Sequence, residues 1–474
     1  MTDVNWKEEV EKIKEELIAD TKAFLQIRSV LDEASISSGA PFGKGISEAL
    51  TTLLEKGEKD GFQSKNVDGY AGHLEMGNGE ELIGILCHID VVPEGEGWTS
   101  PPYSAEVRDG KIFARGAVDD KGPTVAAYYA MKIVKNLNLP LSKRVRMIIG
   151  TDEESSWRCV NHYFEREEMP TMGFAPDADF PIIYAEKGIT DLFLIQEEEL
   201  DSDSLKSTYH LHSFKAGARL NMVPDYAEAK VTCFIQKDLL SMKEAFARYL
   251  EKKQLTGRIV FEGNEISIEV HGISAHGSTP EKGRNAGLAL TAFLNEFSFD
   301  QKARMFLSFL NDAFVNSTDG KKVGIACSDN ISGSLTVNSG LIDYDNKKAG
   351  RIGLNLRYPV TADFEEIVSS LNKLANKHSF TLSIHDHMKP HHVAKDHPLI
   401  KILSKVYEEQ TGERAELISI GGGTYARSLH DGVAFGPLFP GSEEVAHQKD
   451  EYIKIEDLLK AAAIYAQAIY ELAK

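Results

Sequence analysis

Four consecutive segments decide the fold: LIGILCHID (residues 82–90), VAAYYAMKIVKNL (125–137), VRMIIGTDEES (145–155) and GFAPDADF (173–180). Three are apolar runs of strand length and the second has the length and Ala/Leu/Met character of a helix. The alternation predicts strands joined by helical crossovers, an α/β sheet. Each apolar run stops on polar residues, namely HID, TDEE and APDAD. In an open α/β sheet, ligands bind beyond the carboxyl ends of the strands, and acids and a histidine gather there.

Outward from this centre the texture changes. From about 191 to 385 the strands alternate apolar and polar residues, as in AKVTCFI (229–235) and ISIEVHG (266–272), which predicts a separate α+β domain with half-exposed sheet faces. It reads as internally duplicated: AKVTCFI, LLSMKEAFARYLEKK (239–253) and ISIEVHG correspond to GRIGLNLRY (350–358), FEEIVSSLNKLANKH (364–378) and FTLSIHDH (380–387). The α/β texture returns in ELISIGGGTYARSL (416–429), GVAFGPLFPG (432–441) and a final Ala/Leu-rich helix. The expected organisation is a catalytic domain in two parts, 1–190 and 386–474, with 191–385 inserted as a lid. An N-terminal amphipathic helix is expected from Val10, Ile13, Leu17 and Phe24.

The 474 residues, 42% apolar and 26% charged, suit a folded protein of more than one domain. A net charge of −19 would repel phosphate backbones and anionic lipid rather than attract them, so neither nucleic acid nor membrane is an expected partner. No segment reaches the ~20 apolar residues of a membrane span, and no signal peptide is visible. Cys87, Cys159, Cys233 and Cys327 lie far apart with no CxxC pair, as expected of reduced thiols in the cytoplasm.

Candidate chemistry is spread along the chain. His88 and Asp90 follow a strand, where the acid could orient a metal-bound ring; alone they read as a capping or turn pair. Asp119 and Asp120 sit between Gly116 and Gly122 in ARGAVDDKG (114–122), either a surface acid pair or a cation site. TDEES offers Asp152, Glu153 and Glu154, enough for one carboxylate on a metal and another to take a proton from water. APDAD (175–179) adds Asp177 and Asp179, and AHQKDE (446–451) adds His447.

In this order the segments HIDVVP, ARGAVDDKG, TDEES, APDAD, SAHGSTPEKGRNA (274–286), GGGTYAR (421–427) and AHQKDE resemble the co-catalytic zinc peptidases and amidohydrolases, which include glutamate carboxypeptidase, aminoacylase, carnosinase and the bacterial dipeptidase V group. The resemblance spans nearly the whole chain. It implies a mixed-sheet catalytic domain with an inserted α+β lid, and two divalent ions ~3.5–4 Å apart. Asp119 would bridge them, with His88 and Asp177 completing one site and Glu154 and His447 the other. Glu153 would be the general base, Asp90 would hold the His88 ring, and the Asp119–Asp120 peptide would be cis. His276, on the lid, would donate to the developing oxyanion; without its surroundings it is a loop histidine.

The dipeptidase branch further implies that Arg357 in LNLRYP and Asn221 in RLNMVPD reach the substrate, Arg357 as a bidentate carboxylate clamp. An ordinary solvated Arg and an ordinary turn are the other readings. Gly421, Gly422 and Gly423 are expected in a strand-to-helix turn whose amides could receive a carboxylate. Asp at 177 and the full-length lid are similar to the dipeptidases rather than the deacylases or carboxypeptidases of the family. The implied activity is hydrolysis of unblocked dipeptides, β-alanyl ones included; a same-family deacylase or carboxypeptidase, or a non-catalytic binder, are the competing readings. Zn²⁺ suits the donors, as do Mn²⁺ and Co²⁺. A small peptide is the expected partner, in a monomer or homodimer. The histidines of IHDHMKPHHVAKDH (384–397) lack dispersed carboxylates and read as the return hinge.

Overall fold

The computed structural model describes residues 4–197 and 207–474. Two compact units divide the chain: Met1–Ala185, His392–Ser419 and Thr424–Lys474 form the first, Glu186–His391 and Ile420–Gly423 the second.

The first unit is built on a mixed sheet. Strands Leu82–His88, Arg144–Gly150 and Met172–Ala175 run parallel, and Ala71–Met76 joins antiparallel to Arg144–Gly150 at one side. Every residue of Leu82–His88 is buried, as a strand covered on both faces requires. Beyond Met172–Ala175 lies the short strand Gly432–Ala434, parallel to it, followed by Ile182–Glu186. Helices Lys121–Asn136 and Ile455–Ala473 pack on each other, and Trp6–Leu25 packs on both. Two of these helices are rich in buried alanine, including Ala126, Ala127, Ala130, Ala461, Ala462 and Ala466. Of the expected N-terminal stripe, Val10, Leu17 and Phe24 are buried. Gly122 serves a close approach, since a Cβ there would lie 2.1 Å from the Ala117 carbonyl oxygen.

The second unit is an eight-stranded antiparallel sheet in the order Thr256–Glu262, Glu265–His271, Tyr226–Cys233, Tyr209–Ala216, Thr336–Asp345, Arg351–Tyr358, Gly188–Gln196, Phe380–Met388. Its halves repeat one topology. Tyr226–Cys233 leads through helix Gln236–Lys253 to the edge strand Thr256–Glu262, and Arg351–Tyr358 leads through helix Phe364–Lys377 to the opposite edge strand Phe380–Met388. The counterpart of FTLSIHDH is therefore Thr256–Glu262 rather than ISIEVHG. At the sheet edge Thr256–Glu262 has no fully buried residue, so its apolar signal is the weaker of the two.

The histidine-rich stretch holds no candidate metal cluster among the described residues. His387 stacks on Phe364 at 3.6 Å and pairs with the Tyr358 hydroxyl at 2.7 Å, while His397 caps helix Pro398–Thr411 by accepting from the Leu399 amide. Among the described residues, no helix is long and apolar enough to cross a membrane.

Candidate metal centre

In the first unit, the strand-end residues converge. Leu82–His88 ends on His88, Arg144–Gly150 runs into the turn carrying Glu153 and Glu154, and Met172–Ala175 precedes Asp177. Asp119 and Asp120 stand at the start of helix Lys121–Asn136, Asp120 as its N-cap residue, where the helix dipole favours negative charge. The peptide between them is cis, as the family resemblance implied.

Two groups of residues could each hold a metal ion: His88, Asp120 and Asp177, and Asp119, Glu154 and His447. Asp119 faces both. Its Oδ1 lies 3.0 Å from His88 Nε2 and its Oδ2 lies 3.0 Å from His447 Nε2. Asp177 Oδ1 is 3.5 Å from His88 Nε2, and Glu154 Oε2 is 3.0 Å from His447 Nε2. His88 is fully buried while the His447 side chain is 53% exposed, so the cluster opens to solvent on the His447 side.

Hydrogen bonds to the backbone aim these groups. His88 Nδ1 lies 3.0 Å from the Asp90 carbonyl oxygen, which places a proton on Nδ1 and leaves Nε2 to face the carboxylates. The Asp90 carboxylate stands beside the ring, its Oδ1 3.5 Å from His88 Nδ1, and also serves the glutamate turn, accepting from the amides of Glu153 at 3.1 Å and Glu154 at 3.0 Å. Asp152 shapes the same turn, accepting from the Arg158 amide and guanidinium and from Ser155. Asp120 Oδ2 accepts from the His88 amide and the Thr124 hydroxyl, each at 3.1 Å, while its buried Oδ1 has no hydrogen-bond partner.

Charge is unbalanced here. Burial raises the carboxyl pKa values of Asp120, Glu153, Glu154 and Asp177, and neighbouring carboxylates add to the shift. Burial acts on Asp119 in the same sense, but its contacts with His447 and His88 hold it below the ordinary carboxylate range. Hydrogen bonds to Asp119 and Glu154 push His447 up to about 10. Burial disfavours a charged His88, yet Asp177, Asp119 and Asp90 raise its pKa well above the ordinary value. Both rings thus favour taking up protons against a surplus of anions. Divalent cations would meet the same need, and two imidazoles with several carboxylates form a suitable donor set; the unpartnered Asp120 oxygen fits this too.

Two residues to which the resemblance gave no role belong to this environment. Asp120 joins a candidate ligand group, and the doublet DD was its signal. Tyr425 packs edge-on against the His88 ring at 6.0 Å and sets its hydroxyl 3.0 Å from Cys159 Sγ. It lies in GGGTYAR, where the glycines are the more conspicuous feature.

The remaining expected residues lie in the second unit. The loops of Asn221 and His276 are tied together, with the Gly277 amide donating to the Asn221 carbonyl at 2.7 Å and Met222 bridging His276. The Ser278 amide donates to His276 Nδ1, placing the ring proton of the neutral form on Nε2. Arg357 is 5% exposed rather than solvated; its Nε donates to Asn355 Oδ1 and its Nη1 to the Gly421 carbonyl, both at 2.9 Å. The turn of Gly421, Gly422 and Gly423 leads only into the 3-10 turn Tyr425–Ser428, too short to supply the expected α-helix N-terminus.

A parallel-centred sheet with acids and histidines at its strand ends, carrying paired ligand groups, defines a two-metal hydrolase. The chain belongs to peptidase family M20/M25/M40, whose profile matches residues 84–471. It is 55% identical over 471 residues to the protein described as "Putative dipeptidase YtjP" of Bacillus subtilis (strain 168), covering 99% of this chain and 100% of that one. It is 44% identical over 467 residues to "Putative dipeptidase SH1171" of Staphylococcus haemolyticus (strain JCSC1435), covering 98% and 99%. Among solved structures, human carnosine dipeptidase 1 shares the fold with a TM-score of 0.56 at 13% identity, covering 98% of each chain. Aminoacylhistidine dipeptidase from Vibrio alginolyticus does so with 0.58 at 12%, covering 97% of this chain and 96% of that one.

Proposed function

We propose that this chain is a metal-dependent dipeptidase that cleaves unblocked dipeptides, β-alanyl ones included. The observation that carries the metal chemistry is Asp119, whose two carboxylate oxygens each stand 3.0 Å from a histidine of a different ligand group. The curated relatives that match over the whole chain support the substrate class.

In this reading Asp119 is the shared ligand, His88 and Asp177 complete one site, and Glu154 and His447 the other, with Asp120 lying against the first. When bound, two divalent ions supply Lewis acidity, easing deprotonation of an attacking water and polarising the scissile carbonyl. Glu153 is the general base. It is next to a ligand yet outside both ligand groups, and so is left to accept a proton from the attacking water and give it to the leaving amine. Asp90 holds Glu153 and Glu154 in register through their amides. His276, with its proton on Nε2, donates to the developing oxyanion together with Asn221, and Arg357 with Gly421, Gly422 and Gly423 sets the recess for the substrate carboxylate. Zn²⁺ is the ion these donors suit best, with Mn²⁺ and Co²⁺ accommodated. Four unpaired cysteines fit a reducing, cytoplasmic setting, and the lid's internal repeat fits a monomer.

The test is turnover of Ala-Ala and β-Ala-His by metal-stripped protein reconstituted with Zn²⁺ or Mn²⁺, beside N-acetylated and tripeptide analogues and Glu153→Ala. Free dipeptides are expected to be cleaved, with the variant at least ~10²-fold slower while still binding metal. Cleavage of only the acetylated compounds would make the enzyme a deacylase, and turnover indifferent to metal would remove the proposed chemistry.

A further inference from the structure

The geometry points to Glu451 as a positioning residue of the metal centre: a buried carboxylate, outside the ligand groups, that locks the loop carrying Asp119 to the loop carrying His447. This rests on the proposed reading of those two residues as ligands.

Glu451 is fully buried. Its Oε1 accepts from the amides of Val118 at 2.9 Å and Asp119 at 3.3 Å, and its Oε2 accepts from Arg115 Nη1 at 2.5 Å. Its backbone carbonyl accepts from the Ala114 amide at 3.1 Å. Four donors from residues 114–119 thus converge on one glutamate. Arg115 is itself 2% exposed and lies over the Trp98 ring at 5.3 Å, so this charge pair is held in a dry, packed place.

The other end of the link is equally constrained. His447 and Asp450 have left-handed backbones, φ 62° and 56°, so the segment between them and Glu451 folds back sharply. Asp450 is pinned by Thr99, whose amide and hydroxyl each donate to it at 2.8 Å. Directly after Glu451, Tyr452–Lys454 pairs with Lys111–Phe113. Asp119 must send one oxygen toward His88 and the other toward His447, so the placement of its own amide fixes where both land. That amide is one of the two held by Glu451.

A charge pair this buried cannot be tested by removing one partner, because the stranded charge alone would destabilise the fold. We therefore compare Arg115→Met/Glu451→Gln with Arg115→Met/Glu451→Leu. Both remove the two charges, but only Gln keeps an oxygen for the Val118 and Asp119 amides. Co²⁺ binding is read by visible absorption and by competition with a chromophoric chelator, beside the melting of the metal-free proteins. The Gln variant is expected to bind both ions within about 3-fold of the unmodified protein, and the Leu variant to lose ~10–100-fold for at least one ion with an altered Co²⁺ spectrum. Equal binding by both variants, or equal loss in both, would overturn the inference. If the Leu variant does not fold, Glu451→Asp takes its place: it keeps the charge but withdraws the oxygen from the amides, and unchanged Co²⁺ binding would overturn the inference. Unmodified protein that fails to bind two equivalents, or an Asp119→Asn variant that binds them normally, would instead sink the ligand reading.

Discussion

Asp90→Asn would exchange one oxygen for an NH₂ group, and the amides of Glu153 and Glu154 would meet the change first. Each now has its own carboxylate oxygen, so an asparagine must leave one of these donors facing another donor. The expected outcome is a ~10–100-fold loss of metal affinity or turnover with the fold retained, measured by Co²⁺ titration and dipeptide hydrolysis. A fully active Asp90→Asn enzyme would show that the glutamate turn holds itself. At this scale the sequence made the strand-end residues visible, because a histidine or acid directly after an apolar run stands out from its surroundings. It did not reveal that the Asp90 carboxylate serves the glutamates, nor the work of Tyr425. Both depend on which backbone amide or ring lies across a gap of 60 or more residues in the chain.

His73 carries a second prediction at this scale. Burial, aided by the charge of Arg146, lowers its pKa from 6.5 to about 4, and its Nδ1 sits 2.8 Å from the Tyr163 hydroxyl. The folded ring stays neutral where the unfolded one already takes a proton. Its contribution to stability is therefore complete above pH 6.5 and is lost as pH falls from there toward 4. The loss is on the order of 3 kcal/mol at most. Denaturant melts of the native chain and His73→Phe between pH 7 and 4 should show a shallower pH slope in the variant.

Among the elements, the turn before strand Thr336–Asp345 is organised by one carboxylate. Asp329 accepts from the amides of Ile331, Ser332 and Gly333 and from the amide and hydroxyl of Thr361, tying the turn to the segment after Arg351–Tyr358. Burial opposes its ionisation, but these donors prevail and bring its pKa to about 2. A depressed acid stabilises the folded state above its unfolded pKa, and the benefit disappears as pH falls from about 4 through 2. Asp329→Asn is expected to flatten the acid limb of stability in that window, as followed by hydrogen exchange at Ser332 and Thr361. The repeat of strand, helix and strand was legible because both helices are strongly amphipathic. The register of the repeat was not, since an edge strand packs on fewer neighbours and carries a fainter pattern.

For the whole molecule, metal removal should act locally. Ions that bind only the folded state stabilise it by ~2.7 kcal/mol when present at 100 times their dissociation constant. Chelation is expected to speed amide exchange around His88, Asp119 and Glu154 while the eight-stranded sheet, with its own core, keeps its protection. Uniform deprotection of both units would contradict this. The α/β class was readable from the alternation of apolar runs. The run GVAFGPLFPG (432–441) was legible as returning α/β texture, but the place of Gly432–Ala434 between Met172–Ala175 and Ile182–Glu186 was not, because so short a strand carries no pattern that fixes its neighbours.

That small strand also dictates timing on the ribosome. It fills the place between Met172–Ala175 and Ile182–Glu186, yet roughly 250 residues of chain separate it from the first of these. At ~5–20 residues per second, a nascent chain would wait some tens of seconds with that sheet edge unpaired. The antiparallel sheet of the second unit is translated during this interval and can close before its host does. His447 emerges after the strand, so metal capture would follow that pairing, and chaperone demand would fall on the waiting edge.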